Sequence, residues 1–230
     1  MMRTLLLLLA GLHAGSAAAG VAVTSADAGS TAATDAVAKT GSTPPPADLA
    51  KARDAFLTQL RTHCGKAYAG RVVTDTPPSA DNPFAGKPLI MHIRDCTADT
   101  LRIPFHVGDD RSRTWVITRL DGGQLRLKHD HRHKDGSSDA MTLYGGETAG
   151  ADRDAAPERW RYEFPADAES RALFQRLDKA VSIPNVWALE LGGKQFVYEL
   201  ARPGRLFRVE FDLSKPQPLP AAAWGAESRK

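Results

Sequence analysis

Three of the seven histidines in this 230-residue chain fall within five residues, in Leu125-Arg126-Leu127-Lys128-His129-Asp130-His131-Arg132-His133. Successive side chains of a strand alternate between faces, so His129, His131 and His133 continue the apolar face begun by Leu125 and Leu127. Arg126, Lys128, Asp130 and Arg132 take the other face. Imidazoles two residues apart on one strand face can reach a common divalent ion such as zinc, with a third ligand from elsewhere. His106 heads the candidates for that ligand, followed by His92, Glu147 and Asp139. Three protein ligands plus one water would make a hydrolytic centre, with Glu147 or Asp139 as base. The alternative is that the same histidines line a ligand pocket, satisfied by neighbouring carbonyls and carboxylates.

The elements that must position this row are short and β-rich. Runs of Val, Ile, Thr, Tyr, Trp and Phe recur about every ten residues, which predicts strands over 67–74, 89–96, 101–107, 114–120, 125–133, 141–144, 160–164, 186–191, 196–201 and 206–213. Asp121-Gly122-Gly123, Gly192-Gly193 and Arg202-Pro203-Gly204 carry the residues that tight hairpins require. A three-residue connection at 121–123 sets Ile117 opposite Leu127 and Trp115 opposite His129. Trp160, Tyr162, Phe164 and Phe207, Val209, Phe211 alternate with charged residues, as strands with one packed and one wetted face do. Leu49, Ala52, Phe56, Leu57, Leu60 and Cys64 follow a helical period from an Asp48 cap to a stop at Gly65, and a short helix is predicted within 166–180.

The expected fold is mainly β: an antiparallel meander closing into a lipocalin-like barrel or packing as a two-sheet sandwich, preceded by one amphipathic helix and interrupted by a short one. The pocket candidates are then Trp115, His129, His131, His133, Tyr144 and Glu147. Gly145-Gly146, beside Tyr144, permits a bulge or close backbone approach. The loop 108–113, with Asp109, Asp110, Arg111 and Arg113, has the groups to hold an anion or a calcium ion, but the favoured reading is a turn whose charges pair locally.

The first residues set the address. Arg3, an apolar run through Leu12 and the small residues Ser16 to Ala19 form a secretory signal over 1–19, with cleavage after Ala18 or Ala19. The apolar run is about a dozen residues, short of the ~20 that cross a bilayer, so no transmembrane segment is expected. Residues 20–46, rich in Ala, Ser, Thr and Pro, read as a disordered spacer; 47–221 is one β-rich domain and 222–230 a tail. Export to the periplasm or the medium makes the only cysteines, Cys64 and Cys96, a disulfide. Lys and Arg number 30 against 27 Asp and Glu, scattered along the chain, so no nucleic-acid partner is implied. The familiar serine-hydrolase, phosphate-loop, dinucleotide and thiol-redox motifs are absent.

Pro104 to Trp115, Lys128 to Gly136, Tyr144-Gly145-Gly146, Phe164 to Asp167, Asn185-Val186-Trp187 and Phe211-Asp212-Leu213 together resemble a family of exported single-domain proteins of Xanthomonas-type gammaproteobacteria, a family of unknown function. The resemblance spans most of 50–225 and implies export and one domain, but no catalytic residue. Three functions follow as expectations. The first is a module binding a small molecule inside the barrel, the second a metal-dependent hydrolase on the histidine row. The third is an envelope interaction protein without a pocket, which an exposed Trp224 would favour.

Overall fold

A chain that alternates faces over ten short runs must dispose of its sheet edges, and here it does so by curling the meander on itself. The computed structural model describes residues 47–78, 82–149 and 159–226. The predicted signal 1–19 and spacer 20–46 lie outside them. Helix α1 (Ala47–Arg61) is followed by strands β1 (Lys66–Thr76), β2 (Leu89–Ile93), β3 (Asp95–Cys96), β4 (Thr100–Val107), β5 (Asp110–Arg119), β6 (Leu125–His131), β7 (Tyr144–Glu147) and β8 (Arg159–Pro165). Helix α2 (Ala168–Arg176), a 3-10 turn (Ala180–Ser182) and strands β9 (Val186–Gly192), β10 (Gln195–Arg202) and β11 (Arg205–Gln217) complete it.

The strands pair in the order β7-β6-β5-β4-β2-β1-β11-β10-β9-β8, all antiparallel, with β3 beside β4. Pairing of the first strand with the last turns the meander into a nearly closed barrel rather than a two-sheet sandwich. The remaining seam lies between β7 and β8, joined by an isolated bridge from Gly146 to Ala166, the residue after β8. A β-carbon on Gly145 would stand 1.9 Å from the Leu127 carbonyl oxygen, and one on Gly146 1.8 Å from that of Pro165. Only glycine lets the backbones approach this closely. Ser170 of α2 completes the seam: its hydroxyl donates to the Gly145 carbonyl (2.9 Å) and accepts from the Gly145 amide (2.8 Å). Asp167 caps α2 by accepting from the Ser170 amide at 2.8 Å, and Lys128 donates to the same carboxylate at 2.6 Å. The seam thus ties β6, β7 and α2 together.

Two boundaries differ from the periodic reading, for local reasons. Helix α1 ends at Arg61 rather than Cys64, because the amides of Thr62, His63 and Cys64 bond three residues back and Gly65 turns left-handed at φ 77°. Asp48 lies in its first turn instead of capping it, where a negative charge suits the helix dipole. The strand expected over 141–144 begins at Tyr144, since the Asp139 carboxylate accepts from the Met141 amide and Leu143 adopts φ 55°.

Helix α1 closes one end of the barrel. Phe56, Leu57 and Leu60 are buried, the Phe56 ring meets Tyr162 edge-on at 5.2 Å, and Asp54 pairs with Arg119 at the end of β5. Cys64 and Cys96 are joined as expected, their α-carbons 6.3 Å apart, fastening the turn after α1 to β3. Outside the barrel, Arg161 and Arg208 each contact Glu190 and Glu199 at 2.5–2.8 Å across β8 to β11. This lattice covers the outward-facing Ala188 and Val197, each 1 % exposed. The chain's end is not a free tail over its described part: Trp224 donates its amide to the Arg111 carbonyl, Arg111 donates back to that of Ala222, and Ala223 is buried. No helix among the described residues is long and apolar enough to cross a membrane.

Candidate ligand-binding site

The inward faces of seven strands converge, at the end opposite α1, on a cavity of about 270 Å³. From Arg119, which meets α1, β5 runs six residues back to Arg113 on the cavity wall, a distance of ~20 Å at about 3.3 Å per residue. The walls come from Phe105 on β4, Trp115 on β5, His129 and His131 on β6, Tyr144 on β7, Trp187 on β9, Tyr198 and Leu200 on β10 and Phe207 on β11. Phe84, Met141 and Phe174 of α2 add the rim. The hairpin register is the expected one, with Trp115 opposite His129 and Ile117 opposite Leu127. Trp115 stacks between Phe105 and Tyr198 at centroid distances of 4.7 and 4.5 Å.

His129 is 3 % exposed and both its nitrogens are engaged. Nδ1 lies 3.1 Å from the Tyr144 carbonyl oxygen, which can only accept, so Nδ1 carries the proton and donates. Nε2 is then the acceptor for the Tyr198 hydroxyl at 2.9 Å. The Tyr144 ring stacks on His129 at 4.8 Å and its hydroxyl meets His131 Nε2 at 3.0 Å. Burial dominates the protonation of the whole group. It pushes His129 down to about 3, helped by His131, and His131 down to about 4, helped by the Arg113 guanidinium. The phenols of Tyr144 and Tyr198 are pushed up by the same desolvation and keep their protons. The site therefore offers neutral imidazoles and protonated phenols near neutral pH. None of these groups is held close to neutrality, where general acid–base work is most efficient.

Of the sequence-predicted pocket residues, the fold brings Trp115, His129, His131 and Tyr144 together and leaves two outside. β6 ends at His131 and the chain turns, with the His133 amide bonded to the Ser137 carbonyl. The His133 side chain thus points out, 56 % exposed and 3.9 Å from Asp139. Glu147 lies on the outer face, taking hydrogen bonds from Arg126 at 2.5 and 3.0 Å. The zinc site expected from His129, His131, His133 and His106 is not assembled. His106 has the outward parity on β4, where Phe105 is the inward residue, and it sits beside His92 on the other side of the sheet. Among the described residues no three His, Cys, Asp or Glu side chains converge as metal ligands would. The loop with Asp110 is the local turn expected, its carboxylate accepting from the Ser112 amide and pairing with Arg113.

Three cavity residues escaped the strand reading: Arg113, Arg202 and Arg205. Their signal was nonetheless present, since each continues an inward period: 113 with 115 and 117, 202 with 196, 198 and 200, and 205 with 207, 209 and 211. Hairpin chemistry around Gly108 and Gly204 obscured it. Asn185 and Ser182, from the turn before β9, complete the rim and lie outside any strand period.

Comparison with protein-family models, with curated proteins and with solved structures finds no match to this chain. The fold and the site together define an antiparallel barrel, plugged by a helix at one end and carrying an aromatic cavity at the other.

Proposed function

We propose that the protein is an exported binding module that holds one small, largely apolar molecule in the end cavity of its barrel. The observation that carries this reading is the cavity wall: eight aromatic side chains around imidazoles that the protein itself satisfies. Small barrels hold ligands at an open end because interior side chains fill the rest. Here α1 and the core aromatics do the filling, and the histidine end is left hollow. Export rests on the signal-like residues 1–19, on the resemblance to exported proteins, and on the Cys64–Cys96 disulfide, which suits an oxidising compartment.

Trp115 and Trp187 on the cavity wall report occupancy directly. Titration of the purified chain with 1-octanol, followed by tryptophan fluorescence and thermal unfolding, is expected to give a saturable signal and a rise in Tm. Leu200→Trp, which fills the cavity, is expected to abolish both while keeping the circular dichroism spectrum. No saturable signal in the native chain, or equal binding by a folded Leu200→Trp variant, refutes the reading. Export is checked by N-terminal sequencing of protein from a periplasmic or culture fraction, with residue 19 or 20 expected first.

A further inference from the structure

Three arginines and no carboxylate stand on the cavity wall among the described residues. This is unusual chemistry for an aromatic pocket, because a guanidinium drawn partly out of water needs a compensating anion. Two of the three have one. Arg113 pairs with Asp110, its guanidinium 5.7 Å from the Phe84 ring centroid, and Arg205 pairs with Asp75. Arg202 differs. It is half-buried, it has the inward parity of Tyr198 and Leu200, and its hydrogen bond goes to a neutral acceptor, Asn185 Oδ1, at 3.3 Å. Among the described residues no carboxylate pairs with it, so most of its five N–H donors are uncommitted. Nothing on the wall supplies negative charge, since the two histidines are neutral and the two tyrosines protonated. A cavity with low-dielectric walls and one unbalanced cation concentrates anions.

We propose, resting on the ligand-site reading above, that the molecule bound is a small apolar carboxylic acid whose carboxylate pairs with Arg202 and whose body lies between Trp115, Trp187 and Phe207. A planar guanidinium matches a carboxylate through two parallel hydrogen bonds, so position and charge are recognised together. One uncompensated cation balances one negative charge, which favours a monoanion over a phosphate ester. The cavity of about 270 Å³ holds the volume of roughly nine waters at ~30 Å³ each, enough for an acid of about ten non-hydrogen atoms. The aromatic walls would take the apolar part of such an acid, and the turn bearing Ser182 and Asn185 lies beside its charged end.

Phenylacetate and phenylacetamide have the same shape and differ in charge, so the pair isolates the arginine's contribution. Calorimetric titration of the full chain near neutral pH is expected to show phenylacetate binding at least about ten-fold more tightly, as a hydrogen-bonded charge implies. Arg202→Gln, which keeps a donor for Asn185, is expected to erase that preference, weakening the acid about ten-fold more than the amide. Arg202→Lys is expected to retain part of it. Circular dichroism and Tm verify both variants, and the comparison in the native chain needs no variant. Equal affinities for acid and amide in the native chain overturn the inference, as does a preference that survives in Arg202→Gln. Saturable octanol binding without any preference for the acid overturns this inference alone. Absence of all saturable binding, octanol included, overturns the binding reading with it.

Discussion

Acidification tests the burial of His129 quantitatively. In the folded chain its imidazole is 3 % exposed and desolvation, aided by His131 and Lys128, holds it down to about 3 from an ordinary value of 6.5. The unfolded chain, with the ordinary value, therefore takes up the proton first as pH falls. Stability contributed by the neutral, buried ring is complete above about pH 6.5 and is lost as pH drops from there toward the folded value. The loss runs at ~1.4 kcal/mol per pH unit, so moving from about pH 7.5 to about pH 5 costs ~2 kcal/mol through this residue. Domains are stable by only ~5–15 kcal/mol, so the change is readily measured. His106 and His131, each pushed down to about 4, add to it in the same window, so the native chain as a whole falls more steeply. The discriminating comparison is with His129→Gln, whose amide can donate to the Tyr144 carbonyl and accept from Tyr198 without titrating. Urea unfolding of both proteins at the two pH values is the assay. The variant is expected to be less stable near pH 7.5 but to lose ~2 kcal/mol less on acidification. Equal losses, within about 0.5 kcal/mol, would refute the claim that a neutral His129 is built into the core.

The barrel seam, the disulfide and the outer lattice give further tests. Gly146→Ala drives a methyl group into the Pro165 carbonyl and is expected to cost ~3 kcal/mol or more in denaturant unfolding. At Gly122 the obstruction is the end of the Gln124 side chain, and the same substitution should cost under about 0.5 kcal/mol. Ser170→Ala removes both hydrogen bonds to Gly145 and is expected to cost ~1–3 kcal/mol. Replacing both cysteines by alanine releases a loop of 32-residue separation and should cost ~3.5 kcal/mol, seen as a Tm lower by roughly 7–14 °C. Glu199→Gln, leaving Arg161 and Arg208 with Glu190, is expected to destabilise by ~1–2 kcal/mol, and a stabilised variant would show the lattice to be a net cost.

Much of the fold was legible because a strand's period is two and burial enforces it. The hairpin at 121–123 was enough to place Trp115 against His129, and the inward run Phe207, Val209, Phe211 appeared as read. Boundaries were less legible, since they depend on single bonds, such as Asp139 to the Met141 amide, that composition does not announce. The histidine row was half legible. Parity put His129 and His131 inside, but parity holds only while the strand continues, and the turn after His131 removed His133. Metal coordination needs convergence from several elements, and His106 is turned away by one residue's difference of register on a different strand.

The sequence by itself therefore determined the alternation, the turn chemistry, the cysteine pair and the crowding of aromatics onto one face, all of which follow from neighbours a few residues apart. Tertiary structure alone decided which end of the barrel stayed hollow, that Gly146 meets Pro165 across the seam, and that Arg113 and Arg205 find carboxylates while Arg202 finds none among the described residues. Those outcomes depend on residues far apart in the chain, such as Arg205 and Asp75 or Gly145 and Ser170, which meet only when the barrel closes.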